Sequence, residues 1–230
     1  LYNYYKFIEQ LINNKNYKNS LEFGCGRGTT SLYLRIYKNF DVTLSDISPS
    51  AIELAKKNFE MYGAKADFLV GDCQAVPLPD NGFDVIVSIG LLEHFENYAA
   101  ILVEKFRLLK PGGVMISLNI PGKPSVQCLN NVYRKFLRAF GTKKELKKDY
   151  FRNNDKPEDY MRAAKRAGFA DCFTLDVNPF PLFTPLPLKI DKILTYLYRA
   201  AIKIRSVFMK YPFKTNSLLA QAHFLVGYKK

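Results

Sequence analysis

The chain has 230 residues, 48% of them apolar, and carries 34 Lys+Arg against 21 Asp+Glu, a formal net charge of +13. Length and apolar content suit one rather large α/β domain with a well-buried core, which needs neither disulfides nor a structural metal. Cys25, Cys73, Cys128 and Cys172 stand far apart with no C-x-x-C pair, which argues against a zinc site or disulfide framework and for a reducing cytoplasm. No apolar run reaches the roughly 18 residues needed to span a bilayer, and no signal-peptide pattern is visible.

A helical lead-in (1–19) precedes LEFGCGRG, Leu21–Gly28, where an acid and three alternating glycines follow an apolar, β-prone start. The pattern predicts a strand that ends in a ligand-binding turn, because Gly24, Gly26 and Gly28 can take positive φ and let a ligand approach bare amides. TTSLYLRIY (29–37) then predicts a helix whose N-terminus adjoins that turn.

DVTLSD (Asp41–Asp46) alternates like a second strand and ends on an acid about twenty residues beyond the glycines, where a doubly wound fold places a ribose-binding carboxylate. ADFLVGD predicts a third strand ending at Asp72, and FDVIVSIG a fourth ending near Gly90. Glu22, Asp46, Asp72 and Ser88 should therefore converge beyond the carboxyl ends of a parallel sheet. A nicotinamide enzyme would want G-x-G-x-x-G, but Thr29 stands where the third glycine belongs.

LEFGCGRG, then SDIS, then GDCQAVPLPDNGFDVIVSIGLLEHF, then LLKPGG together resemble the class I S-adenosylmethionine-dependent methyltransferases, in particular the branch acting on small molecules and lipids. The resemblance covers residues 20–120, with a weaker match at EDYMRAAKRAGF and the final strand. It implies a Rossmann-like, doubly wound, seven-stranded sheet, mostly parallel with the last strand antiparallel, and inserts after strands 5 and 6. The cofactor implied is S-adenosyl-L-methionine, with S-adenosyl-L-homocysteine as product.

Residue by residue, the resemblance implies that Glu22 holds the turn and reaches the cofactor's amino group through water. Gly24, Cys25 and Gly26 give the close backbone approach to its methionine part, and Gly28 packs helix against strand. Asp46 would accept from the ribose hydroxyls, Ile47 would pack on the adenine, Asp72 would accept from the adenine amino group and the Cys73 amide would meet a ring nitrogen. Ser88 and Ile89 would line the methionine end. The plainer readings are that Asp46 and Asp72 are strand-end turn formers and Ile47 is core.

His94, in LLEHF, is the candidate base or acceptor contact, since an imidazole with an ordinary pKa near ~6.5 can take a proton at neutral pH. The alternative is a histidine making a structural hydrogen bond, and Glu93 beside it is expected to face solvent. Some quinone O-methyltransferases carry E-x-x-E-H for a metal, but Gly90 replaces the first acid here, so no metal is expected. SIGL stands where a DNA amino-methyltransferase would carry N-P-P-Y, which disfavours DNA bases.

Charge divides sharply along the chain. Residues 1–120 carry 12 Lys+Arg against 13 Asp+Glu, a net of −1, whereas residues 121–230 carry 22 against 8, a net of +14. The acceptor, or the surface presenting it, is inferred to be anionic, although a solvated lysine-rich face would look the same. RNA fits the charge, but no RNA-binding module is recognisable.

The chain divides into a cofactor-binding core (20–120), a basic acceptor-cap insert (121–156) and a second insert (178–217). In the first, Tyr133, Phe136, Leu137 and Phe140 recur at helical spacing with basic residues between them, and Gly141 stops the helix. The second opens with NPFPLFTPLPLK, whose prolines deny regular sheet or helix. It continues as IDKILTYLYRAAIKIRSVFMKYP, where Ile190, Ile193, Leu194, Leu197, Ala201, Ile204 and Phe208 share one helical face and Lys192, Arg199, Lys203 and Lys210 another. That helix either docks on the protein's own core or lies at an anionic membrane surface. The expected partners are thus a small-molecule or lipid-linked acceptor and the inner face of a membrane, with nucleic acid less favoured and oligomeric state not readable.

Overall fold

The computed structural model describes residues 2–13, 15–120, 151–153, 155–179, 188–213, 215 and 220–230. The basic stretch around Tyr133–Phe140, Gly141, Cys128 and most of the proline-rich segment lie outside the described residues.

The elements are α1 (Tyr2–Ile12), β1 (Asn19–Phe23), α2 (Thr29–Lys38), β2 (Asp41–Asp46), α3 (Pro49–Met61), β3 (Asp67–Val70), β4 (Phe83–Ile89), a 3-10 turn (Leu92–His94), α4 (Ala99–Leu108) and β5 (Leu109–Asn119). After them come α5 (Pro157–Arg166), β6 (Ala170–Pro179), α6 (Leu188–Phe208) and β7 (Ala220–Tyr228). They form one seven-stranded sheet in the order β3-β2-β1-β4-β5-β7-β6. β1 to β5 are parallel, and β7 enters antiparallel between β5 and β6.

The alternation expected of buried strands is what builds the two cores. Val85, Val87, Val114 and Ile116 face one side with Phe7, Ile8, Leu34 and Phe59 of α1 to α3. Ile86, Met115, Leu21 and Phe23 face the other, against Ile101, Leu102 and Tyr160 of α4 and α5. A period of two sends successive side chains to opposite faces, so each strand seals both layers.

Several boundaries shift from the sequence reading for local reasons. α1 ends at Ile12, short of the expected lead-in. β3 stops at Val70 because Asp72 turns its Oδ1 back to accept from Gln74 N at 2.9 Å, an Asx turn that ends the pairing. β5 starts at Leu109, which pairs with Phe83 across an irregular step before the regular ladder resumes at Val85 and Val114.

β1 lies between β2 and β4, so the chain reverses its direction of winding at the carboxyl end of β1. In open α/β sheets that reversal opens a crevice for ligands.

Candidate functional site

Gly24, Gly26 and Gly28 all adopt positive φ, at 61°, 52° and 66°. At Gly26 a Cβ would meet nothing within 4 Å, so its bare backbone faces open space at the crevice. At Gly28 a Cβ would stand 2.5 Å from Leu44 Cδ2, so this glycine lets α2 close on β2 and α3.

Two carboxylates fix the turn. Asp46 accepts from Gly26 N with Oδ2 and from Ser48 N with Oδ1, both at 2.9 Å, so the end of β2 clamps the loops after β1 and after itself. Glu22, buried at the end of β1, accepts from Ser31 N at 2.9 Å and Ser31 Oγ at 2.6 Å. It satisfies a donor in the first turn of α2 that the helix cannot. Burial pushes its carboxyl up to about 6, against the opposing pull of the Ser31 bonds.

Cys25 is buried in the turn, with its amide bonded to Ser45 O at 3.1 Å. Burial raises the Cys25 thiol well above its ordinary value and pushes the half-buried Cys73 up to about 11, so both stay protonated at neutral pH. Ile47 is 71% exposed rather than core, an apolar face left open beside Asp46.

Ser88 and Ile89 end β4 beside β1. Ile89 is half-buried, while the fully buried Ser88 hydroxyl bonds Ser117 Oγ at 3.1 Å and receives Lys105 Nζ at 2.7 Å. Any approach of Ser88 to a ligand is thus through backbone.

His94 closes the 3-10 turn just past β4, with Nδ1 2.8 Å from Phe151 O. A carbonyl oxygen only accepts, so Nδ1 carries the hydrogen and the neutral ring has its lone pair on Nε2. Glu93 overturns the solvent-facing expectation: it is fully buried, with the backbone of Glu93 and Ile120 and the charged side chain of Arg152 beside its carboxylate. The 3-10 turn points it inward, and burial raises its pKa.

Two residues at this edge escaped the sequence reading. Asn153 ties the end of the first insert to the 3-10 turn: its Nδ2 donates to Leu92 O and Phe95 O, and its Oδ1 accepts from Tyr160. Tyr5 of α1 stacks on Tyr33 at 4.4 Å, and burial, with the Glu22 charge nearby, raises its phenol pKa. An asparagine and a tyrosine in unremarkable sequence carry no motif that would have marked them.

Residues 21–117, from β1 to within β5, match the family described as Methyltransferase domain. Over these residues the chain carries a methyltransferase domain. The domain is 31% identical over 135 residues to ajmaline N-methyltransferase of Rauvolfia serpentina, covering 56% of this chain and 46% of that protein. It is 30% identical over 100 residues to the fatty-acid O-methyltransferase of Mycolicibacterium smegmatis, covering 43% and 36%. The chain spans less than half the length of these curated relatives. In fold it resembles phosphoethanolamine N-methyltransferase 2 of Haemonchus contortus in complex with S-adenosyl-L-methionine, with a TM-score of 0.62 and 17% identity over 96% of this chain and 51% of that one.

The open space at Gly26, the acid at the end of β2 and the exposed Ile47 beside it fit a ligand with a charged amino-acid part, a ribose and a flat base.

Proposed function

We propose that the protein methylates an oxygen atom of a small or lipid-linked, anionic acceptor, releasing S-adenosyl-L-homocysteine. The observation that carries the choice of oxygen is the bond between His94 Nδ1 and Phe151 O, which holds a lone pair on Nε2 at the carboxyl edge of β4. A hydroxyl acceptor must lose a proton on methylation, and a neutral imidazole in this tautomer takes it. The fatty-acid O-methyltransferase likeness and the basic second half support a lipid-linked, anionic acceptor.

In this reading Gly24, Cys25 and Gly26 hold the methionine part, with Ser88 and Ile89 along it. The Asp46 carboxylate, whose oxygens can each accept twice, receives the ribose hydroxyls while keeping Gly26 in place. Ile47 covers the adenine, with Asp72 and the Cys73 amide at its edge. The bound cofactor supplies a methyl group already activated by a positive sulfur. His94 would take the proton that the acceptor hydroxyl gives up when the methyl group passes from sulfur to that oxygen. Alignment and exclusion of water carry most of the rate.

The test is transfer of labelled methyl from S-adenosylmethionine into a cell extract, separated into organic-soluble, aqueous small-molecule and nuclease-sensitive fractions. Label in the organic or small-molecule fraction, released as a methyl ether or ester, supports the proposal. Nuclease-sensitive or amine-bound label overturns the acceptor, and no label in any fraction overturns the enzymatic reading.

A further inference from the structure

α6 turns its apolar stripe outward. Ile193, Tyr196, Leu197, Ile204, Val207 and Phe208 are 56–81% exposed. At 3.6 residues per turn these six fall within an arc of about 120°. The expectation that such a stripe docks on the protein's own core is therefore not met. Arg205, about 120° round the helix from the middle of the stripe, lies 4.7 Å above the ring of Phe213, and buried Phe213 is tied to α1 through Asn3.

Basic residues border the stripe. Arg199 and Lys203 are exposed and lie together along one flank of the helix, and Lys210 is exposed just past its end. The register of the last strands puts this helix at the active edge. Pro179 pairs with Ala220, and Asn119 at the carboxyl end of β5 pairs with His223, so the β6–β7 connection leaves and re-enters at the same edge as the glycine turn.

We infer that α6 is an interfacial helix that seats the protein on an anionic phospholipid bilayer. A wide apolar stripe bordered by lysine and arginine suits the boundary between acyl chains and headgroups. The 21-residue helix carries Asp191, Lys192, Arg199, Lys203 and Arg205, and no helix among the described residues is long and apolar enough to cross a membrane. It lies along the surface. A second copy of the chain fits less well, because pairing this face with itself sets Arg199, Lys203 and Lys210 near their own duplicates within a half of net charge +14. A nucleic acid would leave six large apolar side chains in water.

The experiment is vesicle flotation of the full chain with phosphatidylcholine alone and with phosphatidylcholine containing 30% phosphatidylglycerol, at low and high salt. Binding is expected only to the anionic vesicles, with loss at high salt. Lys203→Gln with Lys210→Gln should weaken it about 25-fold, at the usual worth of each basic residue near a charged surface. Ile204→Ser with Phe208→Ser should weaken it at least tenfold without lowering the unfolding temperature, since both side chains are exposed. Failure of the unaltered chain to float with anionic vesicles, or indifference to both pairs of substitutions, overturns the inference. So does a dimer, measured by light scattering, that Ile204→Ser with Phe208→Ser dissociates, which would make a second copy the occupant. Flotation needs no methyl transfer, so its outcome stands apart from the acceptor assignment.

Discussion

The Asp46 carboxylate and the Gly26 amide lie 2.9 Å apart across the crevice, so the last residue of β2 holds the turn that follows β1. In the proposed reading, one side chain thus shapes the backbone that would receive the methionine part and stands where the ribose hydroxyls would lie. Asp46→Ala is expected to weaken S-adenosylhomocysteine binding about 10- to 100-fold in calorimetry, the scale of losing hydrogen bonds to a charged group. Asp46→Asn should retain part of that affinity. Unchanged affinity in the alanine variant would remove Asp46 from the cofactor site.

Gly26 and Gly28 separate binding from stability. Gly28→Ala must place a methyl 2.5 Å from Leu44 Cδ2 at a φ of 66°, and is expected to cost roughly 2–4 kcal/mol in urea unfolding. Gly26→Ala meets open space and should cost about 1 kcal/mol of backbone strain, yet lose most cofactor affinity because its methyl fills the cradle. Equal effects on stability would show that the two glycines share one role.

Lys105 is fully buried, with Nζ 2.7 Å from both Ser88 Oγ and Ser117 Oγ and, among the described residues, no carboxylate bonded to it. Burial lowers its pKa from 10.5 to about 7. A base depressed in the folded state costs nothing above its unfolded pKa. The cost grows as pH falls from 10.5 toward 7 and is complete below the folded value, on the order of 5 kcal/mol from the energy of a pKa unit. Lys105→Met should therefore unfold at higher urea than the parent at pH 6, with the gap closing toward pH 10. The two serines keep their bond to each other. A variant weaker at both pH values would mean the amine contributes net stability through its hydrogen bonds.

His94→Gln keeps a side-chain donor for Phe151 O but removes the base. With a hydroxyl acceptor, kcat is expected to fall about 100-fold or more while cofactor affinity holds, the scale of a lost general base. A parallel loss of cofactor affinity would instead make His94 a structural partner of the residue 151–153 segment.

The sequence read the backbone well where the geometry is local. Gly24, Gly26 and Gly28 announce left-handed backbone by their type, and strand periodicity brings Glu22, Asp46 and Ser88 to one edge without any knowledge of contacts. The reading failed where direction depends on distant packing. Glu93 was expected in solvent, but a single 3-10 turn points it inward, and Lys105 sits in a helical segment whose register alone does not say that its amine reaches two serines beneath the sheet.

What the sequence by itself determined is the parallel core, the cofactor turn and the unequal division of charge, because short-range spacing and residue type dictate them. What only the tertiary structure decided is which side of α6 meets the protein. The helical period groups Ile193, Leu197, Ile204 and Phe208 on one face in either case. Whether that face meets core or water depends on what lies beside it, and here the contact runs through Arg205 and Phe213, leaving the apolar stripe outside.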